Sequence, residues 1–228
     1  IAELNNKLYA LGGIDKSYNY TNILEEYDPT TNTWSRKRSM SVPRTGFAFV
    51  ALNGKLYAMG GFSDGDQNPN IVEEYTPETD SWRKVSDMPD RWGNMGAVVL
   101  GSDIYLIGGS RVVNGTLGSV MSFNPVTNIW DVKADLPTGR SSLGCAVVDG
   151  IIYAIGGYEY SRGNSDVMEK YIPSHNMWAR TTSMPTARQQ PGVVAVNNKI
   201  YVIGGYSNIG RLNTVEEYTP TQSDNSAN

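Results

Sequence analysis

Arginines recur at a regular interval along this chain and provide its clearest candidate chemistry. Steps of 48 residues connect Arg44, Arg140 and Arg188, with Trp92 at the one step where arginine is replaced. A guanidinium presents planar, paired donors that match a carboxylate. The pattern predicts a site for anionic groups, with one alternative: each arginine braces a neighbouring part of the fold through backbone carbonyl oxygens.

Residues that could support covalent or metal chemistry are scarce. The 228 residues include one cysteine, Cys145, and one histidine, His175. We interpret Cys145 as a buried apolar residue and His175 as a residue of an exposed turn. The segment 64–68 alternates oxygen ligands as calcium loops do, but Pro69 stands where such a loop needs glycine. We therefore expect no catalytic residues, no metal and no cofactor.

Glutamates also recur at a fixed position in the repeat, at Glu25, Glu73 and Glu216. They could act as catalytic acids only if they reached the centre of the fold. Recurrence at one position favours a repeated structural hydrogen bond instead.

A repeat of 48 residues organises the whole chain. Gly-Gly pairs lie at 12–13, 60–61, 108–109, 156–157 and 204–205, and tyrosines and tryptophans recur in the same register. Each unit contains four short apolar or alternating segments separated by turn residues, which is typical of all-β proteins. We predict four strands per unit, with the Trp on the fourth strand.

Five such units can bury their faces if they are arranged radially, as in a β-propeller. The strand rich in Gly, Ala and Val then lies innermost. Because Arg44, Trp92, Arg140 and Arg188 come just before innermost strands, we expect them to line one mouth of the central channel. Five variable loops should surround that mouth, at 14–22, 62–70, 110–118, 158–166 and 206–213.

The repeat frame is incomplete at both ends of the chain. No Trp follows Tyr218, so the outer strand of the fifth unit is missing or atypical. We predict one domain over residues 1–221, built of about five four-stranded blades, and a polar tail over residues 222–228. A fragment of a six-bladed ring is the alternative to a five-bladed ring.

Charge and hydropathy exclude some classes of partner. The formal net charge is -4 and no long basic run occurs, which argues against nucleic acid. No apolar stretch is long enough to span a membrane. We expect a cytoplasmic location, with a removed signal peptide as the alternative.

The units resemble the kelch repeat. The resemblance rests on the Gly-Gly pairs, on Glu25-Glu26-Tyr27-Asp28-Pro29, on Asn32-Thr33-Trp34 and on Met184-Pro185. Kelch propellers include protein-interaction modules, a bacterial sialic-acid mutarotase and a copper oxidase. The copper oxidase needs two histidine ligands, and this sequence has one.

The resemblance also implies a ligand site. In peptide-binding kelch domains, the arginines at this position and the aromatic residue after the Gly-Gly pair contact acidic peptides. The matching residues are Arg44, Arg140, Arg188, Phe62, Tyr158 and Tyr206. The pattern departs at Trp92, Ile14 and Ser110, so a site should favour the side of Arg140, Tyr158, Arg188 and Tyr206.

The sequence favours two functions over a purely structural role. The first is a non-enzymatic protein-interaction domain, such as a scaffold or substrate adaptor, that binds an acidic peptide or loop. The second is a carbohydrate-binding or mutarotase-like protein, because arginine and aromatic side chains also suit sugars. An epimerising enzyme needs an acid or base at the site, and no loop carboxylate recurs.

Overall fold

The computed structural model describes residues 1–64, 69–111 and 115–221, and within them the chain is almost entirely strand and turn. Two short 3-10 turns, Pro77–Thr79 and Pro173–His175, are the helical elements of this part. The strands are β1 (Ala2–Leu4), β2 (Lys7–Ile14), β3 (Tyr20–Asp28), β4 (Thr33–Lys37), β5 (Ala48–Leu52), β6 (Lys55–Met59), β7 (Ile71–Thr76), β8 (Ser81–Asp87), β9 (Gly96–Leu100), β10 (Asp103–Ile107), β11 (Ser110–Arg111), β12 (Gly115–Thr116), β13 (Val120–Asn124), β14 (Ile129–Val132), β15 (Gly144–Val148), β16 (Ile151–Ile155), β17 (Tyr158–Glu159), β18 (Gly163–Asn164), β19 (Met168–Ile172), β20 (Met177–Arg180), β21 (Gly192–Val196), β22 (Lys199–Ile203), β23 (Tyr206–Ser207), β24 (Gly210–Arg211) and β25 (Val215–Tyr218).

These strands form five consecutive antiparallel sheets, one for each sequence repeat. Sheets 1 to 4 have four strands each: β1–β4, β5–β8, β9-β10-β13-β14 and β15-β16-β19-β20. Sheet 5 has three strands in the described part of the chain, in the order β21-β22-β25. Three separate two-stranded hairpins, β11–β12, β17–β18 and β23–β24, carry the variable loops of repeats 3 to 5. The prediction of repeated all-β units is confirmed.

Tight turns of suitable residues connect the first two strands of a sheet. The turn residues Asn53 and Gly54 both have positive φ, as do Asp149 and Gly150. Two-residue turns of this kind match the twist of the flanking strands, and Asn, Asp and Gly tolerate the left-handed region. The turns therefore fix the register in which the first two strands pair.

The chain divides into two compact units, Ile1–Gly93 with Asn124–Trp130 and Asn94–Phe123 with Asp131–Asn228. The first unit has an apolar core around Leu24, Leu56 and Tyr75, none of which is exposed. The second unit has two apolar clusters. One is centred on residues of sheets 3 and 4, such as Ile107 and Ile152, and the other includes Ile155 and Ile200.

The Gly-Gly pair has a structural cause that is visible at residues 156–157. Both glycines have positive φ, and the Gly157 amide donates to the Arg188 carbonyl oxygen at 2.8 Å. A Cβ on Gly156 would lie 2.7 Å from that oxygen. Only glycine accepts both the conformation and this close approach. The pair therefore docks the loop that carries each recurring arginine.

No helix in the described residues is long and apolar enough to cross a membrane.

Candidate ligand-binding surface

The three recurring arginines are buried and fully engaged. The Arg44 guanidinium donates to the carbonyl oxygens of Gly60 and Ala58 at 3.1 and 3.2 Å. It also donates to Glu73 Oε2 at 2.8 Å. Burial lowers the pKa of Arg44 to about 10, and the charge of Glu73 opposes that shift. The side chain therefore remains a cation at neutral pH, neutralised inside the protein.

Arg140 and Arg188 repeat this arrangement in the second unit. Arg140 donates to the Gly156 carbonyl oxygen at 2.7 Å and to Glu169 Oε2 at 2.5 Å. Arg188 donates to the Gly204 carbonyl oxygen at 2.9 Å and forms an ion pair with Glu216. Each arginine thus holds the second and third strands of the sheet that follows it.

The structure corrects the expectation that these arginines face a ligand. The exposed fractions of Arg44, Arg140 and Arg188 are all 0%. A buried guanidinium with filled hydrogen bonds cannot offer the same donors to an incoming carboxylate without breaking them. Their arrangement matches the bracing alternative, because each arginine anchors a loop to the second and third strands of the next sheet.

The glutamate partners confirm the structural interpretation of the third-strand acids. Glu73 and Glu216 accept from Arg44 and Arg188. Glu169 was not singled out from the sequence, although it lies 96 residues after Glu73 and therefore at the same position of the repeat. Glu25, at the same position in the first repeat, is exposed.

Trp92 and Phe62 belong to the first unit, and their side chains pack within it instead of projecting into solvent. Trp92 is 1% exposed, and its Nε1 has no hydrogen-bond partner among the described residues. Phe62 is half-buried, and a Cβ on Gly93 would lie 2.5 Å from its ring. Of the segment 64–68, which the sequence suggested as a calcium loop, residues 65–68 lie outside the described residues.

Tyr158 and Tyr206 are held at the roots of two hairpins in the second unit. The backbone of Tyr158 exchanges two hydrogen bonds with Ser141, at 2.7 and 3.0 Å. Tyr206 exchanges two with Gln189, both at 2.9 Å. Because Ser141 and Gln189 directly follow Arg140 and Arg188, each buried arginine fixes the position of the next aromatic residue.

The three hairpins of the second unit form a connected surface, which we call the hairpin surface. It consists of residues 110–111, 115–116, 158–164 and 206–211. The Tyr160 amide lies 3.5 Å from Thr116 Oγ1, which links the first hairpin to the second. Asn164 Nδ2 donates to Asn208 Oδ1 at 3.0 Å, which links the second to the third. The surface is continuous across repeats 3 to 5.

Exposed basic and apolar side chains project from this surface. Each hairpin contributes one arginine: Arg162 and Arg211 are exposed, and Arg111 is half-buried. The exposed fraction is 78% for Tyr160 and 94% for Ile209. The Arg211 guanidinium lies 5.7 Å from the centre of the Tyr206 ring. The groups that can reach a ligand therefore lie at the hairpin tips, beyond the buried arginines.

A cavity of about 580 Å³ opens between the first two hairpins. Its walls include Thr116, Thr138, Glu159, Tyr160 and Arg162. Glu159 is only 8% exposed and accepts from Ser165 Oγ at 2.8 Å. The Arg162 guanidinium lies 4.0 Å from the other carboxylate oxygen of Glu159. The cavity offers donors, acceptors and an aromatic ring, which suits binding of a polar ligand.

Two family models match this chain. The model of the KLHDC2/KLHL20/DRC7 Kelch-repeats domain matches residues 1–157. The chain belongs to the kelch-repeat family. A second model, the Kelch motif, matches residues 139–185 and 187–223. These matches confirm the predicted family and the all-β, β-propeller fold class, so each of the five sheets is one kelch blade.

A solved structure entitled "Structure of YjhT" shares the fold of this kelch chain. The TM-score is 0.82 with 17% sequence identity, covering 95% of this chain and 79% of the other. At that identity the likeness shows a common fold alone. No curated protein matches the chain.

The remaining reactive groups of the kelch chain lie away from the hairpin surface. Cys145 packs against the apolar cluster of blades 3 and 4, and burial raises the pKa of its thiol to about 12. His175 is exposed in the turn Pro173–His175, as expected, with Ser174 Oγ 2.9 Å from its Nδ1. Among residues 1–64, 69–111 and 115–221, no cluster of acidic, His or Cys residues could hold a metal ion.

Sequence reasoning identified the scaffold of this surface better than its contact residues. The variable loops were located from the sequence, but Glu159, Tyr160 and Ile209 were not singled out. These residues follow no repeat register, since loop tips differ between blades. The only signal for Tyr160 and Ile209 is that large apolar side chains occur inside short polar loops.

Proposed function

We propose that this kelch protein is a non-enzymatic interaction domain that binds an acidic segment of a partner protein on the hairpin surface. Kelch propellers generally serve in protein interaction, and the family assignment supports that broad role. The observation that carries the finer proposal is the hairpin surface itself. Three linked hairpins each contribute an arginine, and exposed Tyr160, Tyr206 and Ile209 lie among them.

The chemistry of these groups fits an acidic turn or strand. Arg162 and Arg211 can turn toward a ligand, since they are exposed rather than committed to the core. Arginine and tyrosine are the residue types that most often dominate binding energy, provided that surrounding contacts exclude water. Tyr158 and Tyr206 keep a ligand-contacting role in this proposal, whereas Arg44, Arg140 and Arg188 position the hairpins.

A double variant tests this proposal. Binding of Glu- and Asp-containing peptides is measured for the wild type and for Arg162→Ala/Arg211→Ala. We expect the double variant to lose about tenfold or more in affinity, because two charge-assisted contacts disappear. The matched control is Arg36→Ala/Arg180→Ala, which removes the same charge from exposed outer strands. Equal affinity losses in both variants would show a general charge effect and overturn the proposal.

A carbohydrate ligand is the second candidate, and the polar cavity beside Tyr160 favours it. Pyranose rings stack on aromatic faces, and hydroxyl groups could pair with Glu159 and Arg162, which line that cavity. In a glycan-binding assay, this candidate predicts binding that Tyr160→Ala abolishes and Ile209→Ala leaves intact. Accelerated interconversion of sugar anomers that Glu159→Gln removes would instead identify a mutarotase-like enzyme.

A further inference from the structure

The cavity between the first two hairpins of the second unit is lined by a buried carboxylate. Its volume is about 580 Å³, and Glu159 forms part of its wall beside Tyr160 and Arg162. Glu159 is only 8% exposed. A carboxylate that is withdrawn from water is costly unless a cation or several hydrogen bonds offset the lost hydration. The partners of Glu159 therefore show what the cavity can accept from a ligand.

Only one oxygen of this carboxylate has a hydrogen-bond partner among the described residues. Ser165 Oγ donates to Glu159 Oε1 at 2.8 Å. In the described part of the chain, the cation nearest to Oε2 is the Arg162 guanidinium at 4.0 Å, which is beyond hydrogen-bonding distance. The side chain of Arg162 is itself 77% exposed, so it can turn away into solvent. Oε2 is therefore an acceptor that a ligand can use.

Two hydroxyl groups of the cavity wall are already engaged within the protein. Thr138 Oγ1 donates to Glu169 Oε1 at 2.9 Å, and the Thr138 carbonyl oxygen accepts from Arg140 at 2.9 Å. Thr116 Oγ1 donates to a backbone carbonyl oxygen at 3.1 Å. The nearby cation Arg140 is neutralised by its ion pair with Glu169. These groups leave Glu159 as the acceptor on offer, and its negative charge favours a cationic ligand group.

The contacts of the carboxylate favour an ammonium group over a guanidinium. A guanidinium matches a carboxylate through two parallel hydrogen bonds, one to each oxygen. Ser165 already occupies Oε1, whereas an ammonium is a compact point charge that needs only Oε2. The Tyr160 ring lines the same cavity and can hold both a cation and the methylene chain that carries it. A lysine side chain has both of these parts.

We propose that this cavity binds a lysine side chain of the partner segment, and that the lysine ammonium group pairs with Glu159 Oε2. The inference rests on the proposed function, because the lysine belongs to the acidic segment that the hairpin surface binds. The methylene chain lies along Tyr160, and Arg162 turns outward to the acidic residues that flank the lysine. Arg162 and Arg211 then provide affinity for acidic residues, and Glu159 provides selectivity for the lysine between them.

Peptides that differ only at their central residue test this selectivity. The probes are Ac-Glu-Glu-X-Glu-Glu-NH2, in which X is lysine, Nε-acetyl-lysine, norleucine or arginine. We expect the lysine peptide to bind at least about tenfold more tightly than the acetyl-lysine and norleucine peptides, which lack the ammonium charge. It should also bind about threefold or more tightly than the arginine peptide, since only one carboxylate oxygen is open. Equal affinities of the lysine and acetyl-lysine peptides would overturn the proposal.

A variant of Glu159 locates the source of the preference. Glu159→Gln keeps the shape of the side chain and an oxygen for Ser165, but it removes the charge. The preference for lysine over acetyl-lysine should therefore disappear in this variant. The matched control is Asp166→Asn, which removes the same charge from an exposed residue near the hairpin and should keep the preference. A preference that survives Glu159→Gln, or that is lost in Asp166→Asn, would contradict the assignment of the lysine to this cavity.

A small amine separates failure of this inference from failure of the proposed function, and it needs only the wild-type protein. Butylammonium and butanol have the same alkyl chain, and the amide NMR signals of Glu159 and Ser165 report the binding of either. If acidic peptides do not bind but butylammonium alone shifts these signals, the cation site is supported and the acidic-segment proposal fails. If the peptides bind without preference for lysine and the two small molecules act alike, the proposed function is supported and the lysine inference fails. Absence of both responses would overturn both.

Discussion

Blades 4 and 5 repeat one sequence pattern within the same compact unit, yet their burial differs sharply. Met168 of blade 4 is 2% exposed, whereas Val215, its counterpart in blade 5, is 60% exposed. Ile155 and Ile203 also occupy one position and are 0% and 47% exposed. The two blades share the anchoring pair, Arg140 with Glu169 and Arg188 with Glu216.

The difference shows that two separate devices, an arginine anchor and the burial of apolar faces, stabilise a blade. The arginine comes from the loop that precedes the blade and fixes the second and third strands of that blade. This anchoring therefore requires only the preceding blade. Burial of the apolar faces needs a fourth strand and a following blade as well. Blade 5 has the first device and, in its described residues, only part of the second. Substitutions at matched positions can therefore measure each device separately.

The largest expected effect concerns the anchoring pair. Glu169→Ala should lower the free energy of unfolding by about 3–5 kcal/mol, because it leaves the Arg140 charge buried without its partner. Glu216→Ala should cost less, since the side chain of Glu216 is 16% exposed and that of Glu169 only 3%. Chemical denaturation of both variants measures the difference. Equal losses would mean that the two anchors are equivalent despite their surroundings.

The reactivity of a cysteine on each innermost strand compares the solvent exposure of that strand in blades 4 and 5. Burial raises the pKa of the Cys145 thiol to about 12, so almost none of it is the reactive thiolate at pH 8. Val193 is the counterpart of Cys145 in blade 5, and the next residue, Val194, is 44% exposed. A cysteine introduced there by Val194→Cys in a Cys145→Ala background should react on the order of a thousandfold faster with maleimide. Both proteins should react alike after denaturation. Fast labelling of native Cys145 would contradict the burial described for blade 4.

Truncation of apolar side chains sharpens the contrast on the third strands. Met168→Ala should destabilise the protein by about 2–5 kcal/mol, the usual cost of a cavity in a core. Val215→Ala should cost less than about 1 kcal/mol, because most of that side chain already meets solvent. Thermal and denaturant unfolding provide the two values. A Val215 cost as large as that of Met168 would show that blade 5 is covered in solution.

The smallest expected effect is on acid stability. Hydrogen bonds from Lys199 and Tyr201 hold the pKa of Glu217 below its usual value of 4.5. A carboxyl whose pKa is lower in the folded state stabilises the fold above its unfolded pKa, and this contribution disappears as the pH falls through the folded pKa. Glu217→Gln should therefore make unfolding less pH-dependent below about pH 4.5. The proposed contribution is wrong if Glu217→Gln and the wild type lose stability in parallel as the pH falls below about 4.5.

The sequence predicted the repeating parts of the fold well, because repetition multiplies weak signals. One Gly-Gly pair or one Trp34 would mean little, but five pairs and four tryptophans in one register define the sheets and their order. The repeat also contains the partners of a buried ion pair, Arg140 and Glu169. They lie 29 residues apart in the sequence and come together only in the folded chain. The solvent exposure of the arginines was predicted wrongly, because an arginine is buried by its contact with a glutamate of the next sheet. Its position in a loop does not reveal that contact.

The contact residues were harder to predict for the opposite reason. Tyr160 and Ile209 have no counterparts at fixed steps, and both side chains are largely exposed on individual hairpins. Hydropathy alone would have placed both side chains inside the protein. A single sequence does not distinguish an apolar residue that fills a core from one that is held out toward a ligand.

The paired hydrogen bonds at the roots of three loops mark the boundary between the repeated strands and the variable loop tips. Thr45 with Phe62, Ser141 with Tyr158 and Gln189 with Tyr206 close each loop at its base, just outside the buried arginine. Sequence changes beyond that clasp alter the tip without disturbing the packed strands below. The same scaffold can therefore acquire new specificities by drift in its tips, and an engineer could graft foreign loops at these three clasps.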